Sequence, residues 1–343
     1  MTGRRVLLTG GAGFVGHHLG LALRARGAEV HVADSLAVNN LHAFMATPPE
    51  TPHRERTLGI LRERLALLAA AGVSLHLADT RDAGGMARLL ETLRPHAVVH
   101  LAAVSHADRC TRDPLGALDH NLAGLTAVLE AARGVVEHFV FFSSSLVYGD
   151  VPEGGVTEDS PCRPAEIYGA LKYAGEQLVT AYGRVHGLAY TIVRPAALYG
   201  ERCVSRRVGQ VFIENAMDGH ELVVTGDGSA RLDFTCVHDL VEGVAQVLDV
   251  PAARNQVLNL AFGGARTMDE LVGILSAHLP GVRVRYAPRD AGAPRRGTLR
   301  IDRAARLIGY APRTRLEDGY ARYIRWYREV LSAAPSATEP APV

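Results

Sequence analysis

Six short apolar runs, at residues 6–8, 30–33, 73–77, 97–101, 139–142 and 190–193, punctuate the first two thirds of the chain. Most are continuously apolar rather than alternating, the pattern of strands buried on both faces of a parallel sheet. Between them lie stretches with helical spacing of apolar positions, at 14–26, 115–133 and 165–186. This alternation predicts a doubly wound α/β domain. After about Pro195 the pattern changes: Gly and Arg grow denser, and helices at 269–278 and 316–331 are separated by irregular stretches. One further run, 257–260, has the character of a strand returning to the sheet. The long connection 35–72 carries Leu58, Leu61, Leu65 and Leu68 on one helical face, which predicts an extra helix there.

Composition narrows the class. The chain has 343 residues, and its 37 Lys+Arg against 36 Asp+Glu leave a net charge of +1, so no nucleic-acid or membrane partner is expected. Hydrophobic residues make up 48%, enough for a substantial core, and no apolar run reaches spanning length. Residues 1–5 lead directly into an apolar run without the h-region of a secretory leader. Cys110, Cys162, Cys203 and Cys236 show no zinc-like spacing, and the 15 histidines form no HxH or HExxH pattern, so no metal is expected. The expected location is cytoplasmic.

The strongest local signal is Thr9-Gly10-Gly11-Ala12-Gly13-Phe14-Val15-Gly16, which follows an apolar run and opens a helical one. Glycines at this spacing let backbone N–H groups approach a pyrophosphate, and the third lets the helix pack closely. Asp34 ends the next run, placed to accept hydrogen bonds from an adenosine ribose and to repel a 2′-phosphate. No arginine follows Asp34 closely, so NAD is expected rather than NADP. The fold class is therefore α/β, a Rossmann-type doubly wound parallel sheet with a smaller C-terminal substrate-binding domain. The NAD-binding part spans 1–195 with a return segment at 234–262; 196–233 and 263–332 form the substrate-binding domain, and 333–343 a flexible tail.

Two further motifs carry chemistry. Tyr168 and Lys172 stand four residues apart, on one face of a helix. A phenol is a poor base at neutral pH, but a nearby ammonium and the positive nicotinamide would favour its phenolate. Ser143, Ser144 and Ser145 end the run 139–142, at the carboxyl edge of the sheet where ligands bind in open α/β folds.

Together with Leu77-Ala78-Asp79-Thr80-Arg81-Asp82, His100-Leu101-Ala102-Ala103, Arg194-Pro195 before Tyr199-Gly200, Asp233-Phe234 before Val237-His238-Asp239, and Leu307-Ile308-Gly309-Tyr310-Ala311-Pro312, these motifs carry a resemblance. The chain resembles, over nearly its whole length, the extended short-chain dehydrogenase/reductases of the NAD-dependent sugar epimerase/dehydratase family, of the UDP-glucose 4-epimerase type. The resemblance implies a cofactor site of Gly10, Gly13, Phe14, Val15, Asp34, Asp79, Thr80, Leu101, Ala102, Ala103, Asn121, Tyr168 and Lys172. It implies Ser144 as the catalytic hydroxyl, Tyr168 as general base and Lys172 as its electrostatic partner. Ser105, His106, Ser144, Ser145, Arg231, Arg289 and Arg296 are the implied substrate contacts.

The branch of the family follows from what is missing. Typical 4,6-dehydratases place an Asp–Glu pair after the catalytic hydroxyl; here Ser145 and Leu146 stand there, and neither does carboxylate chemistry. Epimerisation needs no such pair, because the keto intermediate only has to turn. The expected activity is an NAD-dependent epimerase of a nucleotide-activated sugar, most simply at C4. The alternatives are a sugar-nucleotide dehydratase, or a dehydrogenase or reductase of a non-nucleotide polyol. Ala197 and Leu232 replace an Asn and an Arg that bind the substrate diphosphate in the family, with Arg231, Arg289 and Arg296 as possible replacements. A homodimer through 115–133 and 165–186 is implied by the resemblance alone.

Overall fold

The computed structural model describes residues 1–289, 292 and 294–333. The tail positions 334–343 lie outside the described residues. The six early apolar runs are strands β1 (Arg5–Thr9), β2 (Glu29–Asp34), β3 (Ser74–Leu77), β4 (Ala97–His100), β5 (His138–Phe142) and β6 (Tyr190–Pro195). Gln256–Leu260 pairs with the outer side of β6, and the order runs from it through β6, β5, β4, β1 and β2 to β3, all parallel. This is a Rossmann-like α/β sheet.

The continuous apolar runs follow from helices on both faces. Val6, Leu8, Val30, Val32, Val99 and Val140 fill the core on one side, while Leu7, Ala33, Val98, Phe139 and Phe141 fill the other. At the edge, β3 leaves Leu75 and Leu77 exposed. Order reverses between β1 and β4, so a cleft opens at their carboxyl ends.

The helical stretch expected at 115–133 is helical from Pro114 to Ala132, with one π-helical turn in its middle. It consists of Pro114–Leu118, one π-helical turn at Asp119–Ala123, and Gly124–Ala132. Such a turn re-aims the side chains it carries; here Asn121 lies buried within it.

The connection 35–72 holds two helices, Leu41–Met45 and Arg54–Ala70. Leu58, Leu61 and Leu68 are buried and Leu65 partly so. The wholly buried Arg64 donates from Nε to the Arg202 carbonyl at 3.0 Å. Arg202 Nε donates to His17 Nε2 at 3.1 Å, and His17 Nδ1 donates to the Gly13 carbonyl at 3.0 Å. The extra helix thus braces the glycine loop from beneath.

Three buried histidines make the fold acid-sensitive. Burial pushes His18 and His100 down to about 3 and His138 to about 4. The unfolded chain takes up these protons near the ordinary value of about 6.5, whereas the native chain does not. Below that value the unfolded state binds more protons, so stability falls as pH falls, by up to about 1.4 kcal/mol per pH unit for each group. Urea midpoints should drop steeply between pH 6.5 and 4.5, and the drop should be shallower in His100→Asn. A flat profile would contradict this.

Candidate active site

The loop after β1 is shaped by close approach. Gly10 has φ +69°, and a Cβ there would lie 2.6 Å from the Ala102 backbone nitrogen. A Cβ on Gly16 would meet Gly11 Cα at 2.5 Å, so the helix Phe14–Ala25 can pack onto the loop only without a side chain there. That helix has no side-chain N-cap and no acid in its first turn, leaving its N-terminal donors directed at the cleft.

Asp34 fixes the far side. Its Oδ2 accepts from Ala12 N at 3.0 Å and its Oδ1 from Leu36 N at 2.8 Å. Burial raises its pKa, opposed by those two backbone donors. Gly10, Gly13, Phe14, Val15 and Asp34 line one wall of the cleft, and Asp79, Thr80, Leu101, Ala102, Ala103 and Ser105 also line it. Asp79 is held by Arg81, whose Nε and Nη2 donate at 3.0 and 2.7 Å. The residues present suit a dinucleotide: glycines where a Cβ would intrude, open helix donors, and a fixed carboxylate one strand away.

Tyr168 and Lys172 lie at the other end of the cleft, on the helix Ile167–His186. Both are buried. Lys172 Nζ donates to the Phe142 carbonyl at 2.7 Å and lies 6.0 Å from the centre of the Tyr168 ring. Burial pushes Lys172 down to about 8, opposed by Cys110 and Glu176. The Tyr168 phenol is pushed up by burial, opposed chiefly by Arg207, by a hydrogen bond with Ser144, and by Arg296. Lys172 is turned onto a strand-end carbonyl, and the leading cation acting on the phenol is an arginine that sequence reasoning did not single out.

Ser144 caps the short 3-10 turn Ser145–Tyr148, accepting from Leu146 N at 3.2 Å. Ser143, at the edge of the cleft, donates to Glu176, which holds Arg194 through contacts of 2.6 and 2.8 Å. Arg194 also donates to the Tyr148 hydroxyl at 2.9 Å. This closed network fixes the end of β5 behind the Ser144–Tyr168 pair.

The remaining expected residues divide. Ser145 accepts from Arg296 Nη2 at 3.2 Å, and the two line a small cavity with Ala197 and Leu232. Arg231 is not brought there: it is exposed and donates to the Ala265 carbonyl at 2.6 Å. Neighbours in a strand face opposite sides, so Leu232 facing the cavity sends Arg231 outward. Arg289 is also elsewhere, exposed after the strand Val284–Ala287, where its charge acts on Asp227. His106 lies behind the wall, its Nε2 on the Ser205 carbonyl. Asn121 does not face the cleft: its amide accepts from Val104 N at 2.9 Å and donates to Val104 O at 3.2 Å, holding the loop after β4. Arg207 and Ser205 line the cleft unforeseen, because two arginines in an irregular segment read as a solvated loop.

Among the described residues no helix is long and apolar enough to cross a membrane. Among them, no cluster of His, Cys, Asp and Glu could hold a metal ion.

Residues 6–261 match the model of the NAD dependent epimerase/dehydratase family. A dTDP-glucose 4,6-dehydratase of Streptomyces griseus is 36% identical, over 68% of this chain and 71% of that protein. UDP-glucuronate 4-epimerase 1 of Arabidopsis thaliana is 30% identical, over 95% of this chain and 77% of its own. The crystal structure of the dTDP-glucose 4,6-dehydratase of Streptomyces venezuelae with NAD bound superposes with a TM-score of 0.83. It is 32% identical and covers 95% of this chain and 97% of that one.

Proposed function

Given that this chain belongs to the NAD-dependent epimerase/dehydratase family, we propose that it is an NAD-dependent epimerase of a nucleotide-activated sugar, acting at C4. One observation carries epimerisation over dehydration: the two positions after Ser144 hold no carboxylate, since Ser145 is a hydroxyl bonded to Arg296 and Leu146 is apolar.

The bound NAD would be held by the glycine loop, by Asp34 at the adenosine ribose, and by Asp79 and Thr80 beside the base. When bound, it supplies reversible oxidation of a carbinol carbon. Tyr168 takes the proton from the substrate hydroxyl, and Ser144 hydrogen-bonds the same oxygen. Lys172, anchored on the Phe142 carbonyl, bonds the nicotinamide ribose. The sugar ring then turns, and Tyr168 returns its proton to the same oxygen on the inverted carbon.

The sheet segments 1–195 and 234–262 form the cofactor domain, and 196–233 with 263–332 close over the sugar. Exposed Leu115, Leu118 and Val185 on the helices Pro114–Leu118 and Ile167–His186 support a homodimer through that face, in a cytoplasmic protein.

Dehydration stands as the second reading, on the identity with the Streptomyces griseus dehydratase. A mass-resolved assay separates the two. NAD-loaded protein is incubated with UDP- and dTDP-hexoses, UDP-N-acetylhexosamines and UDP-uronic acid, and products are resolved chromatographically. A new peak of unchanged mass is expected; loss of water would establish the lyase instead.

A further inference from the structure

The segment 200–207 runs from beneath the glycine loop to the cleft, where Ser205 and Arg207 line its wall. Its pivot is Arg202, whose backbone is left-handed at φ +61°. A residue with a Cβ rarely adopts that conformation, which persists only where the surroundings impose it. Here the helix Arg54–Ala70 imposes it from two consecutive residues. The wholly buried Arg64 donates from Nε to the Arg202 carbonyl at 3.0 Å. Glu63 accepts from Arg202 Nη1 at 3.2 Å. Ile60 and Leu61 of the same helix pack with Val204. One helix therefore holds Arg202 by its backbone and by its guanidinium.

Arg202 Nε has a more specific partner. It donates to His17 Nε2 at 3.1 Å, and His17 is wholly buried. A neutral imidazole that accepts at Nε2 carries its proton on Nδ1, and Nδ1 donates to the Gly13 carbonyl at 3.0 Å. The His17 backbone N–H donates to that same carbonyl at 3.1 Å. Two donors thus fix the peptide plane between Gly13 and Phe14. In a trans peptide the carbonyl and the next N–H point in opposite directions. With the Gly13 carbonyl drawn back along the helix, the Phe14 N–H faces out of its N-terminus, among the donors that suit a pyrophosphate. On the epimerase reading, on which the functional weight of this contact rests, NAD has to stay bound through two hydride transfers. We infer that Arg202 is a positioning residue for the dinucleotide: gripped by Glu63 and Arg64, it orients His17, and His17 sets the peptide that receives the cofactor. The helix Arg54–Ala70 then clamps the cofactor although none of its residues lines the cleft.

The test is calorimetric titration with NAD, and the rate of NAD loss on dialysis of the loaded protein, in the wild type, Arg202→Met, Arg202→Lys and Glu63→Gln. Arg202→Met keeps the stem and removes the donor. It should bind NAD roughly tenfold more weakly and lose it correspondingly faster, the effect of one charged hydrogen bond. Arg202→Lys should recover part of that loss. Glu63→Gln, at a half-exposed position, should weaken NAD roughly threefold without lowering the melting temperature. Turnover of Arg202→Met should return to near the wild-type value once NAD is saturating. In a His17→Leu background, Arg202→Met should bring no further loss of NAD affinity. Unchanged NAD affinity in Arg202→Met would overturn the inference. So would a turnover loss that saturating NAD does not repair, a full second loss in His17→Leu, or an equal loss of UDP affinity, the mark of general loosening. If Arg202→Met does not fold, Glu63→Gln decides: weaker NAD binding at an unchanged melting temperature supports the clamp, and wild-type affinity overturns it. The titrations contain no sugar, so the two readings fail separately. The expected NAD losses, with no product of unchanged mass from the wild type, support the positioning role and overturn the epimerase. A wild-type epimer with unaltered NAD affinity in Arg202→Met does the reverse.

Discussion

Tyr168→Phe should lower turnover by roughly a thousandfold or more, within the range removed with a general acid–base group. The variant should still fold and retain NAD. The change deletes one oxygen, and the Tyr168 ring stays packed with Val104, Cys110, Ala117 and Leu171. What disappears is the proton acceptor at the end of the cleft. Neither neighbour can stand in for it. Ser144 has no base of its own, and Lys172 is committed to the Phe142 carbonyl at 2.7 Å. The measurement is single-turnover kinetics on the preferred sugar nucleotide, with NAD content and thermal unfolding as controls. Activity within tenfold of wild type would remove Tyr168 from the chemistry.

Gly10→Ala should empty the cofactor site. A methyl group there would lie 2.6 Å from Ala102 N and 2.7 Å from Ala102 Cα, both backbone atoms just beyond β4. Relief would require parting β1 from β4, which pair from Val6 to Thr9. The left-handed backbone at φ +69° adds roughly 1–2 kcal/mol for any residue with a Cβ. We expect the purified variant to lack NAD and to bind it roughly a hundredfold more weakly, equivalent to about 3 kcal/mol of lost contacts. Calorimetric titration of NAD, with melting temperatures of both proteins, checks this. Wild-type NAD content would show that the loop does not cradle the dinucleotide.

The two experiments probe opposite ends of one cleft, and they differ in how visible their targets are. Gly10, Gly13 and Gly16 stand out in the chain because a phosphate loop is a local device, complete within one strand–turn–helix. The same holds for Tyr168 and Lys172, one helical turn apart. The π turn at Asp119–Ala123 was hidden, since its apolar spacing passes for an ordinary helix. So was the service of Arg64, a charged residue in the middle of a leucine-bearing helix that ends wholly buried beneath the glycine loop.

Strand positions, their burial on both faces and the dinucleotide loop were determined by the sequence alone, because near-neighbour periodicity and backbone sterics specify them. The destination of each arginine was decided only in three dimensions. Arg231 and Leu232 are adjacent, yet the strand pleat sends one to solvent and the other to the cavity. Arg206 and Arg207 are adjacent too, and among the described residues only the first meets a carboxylate, Glu214. A guanidinium on a long, flexible stem takes whatever partner the fold brings within reach, and that partner is set by residues far away in the chain.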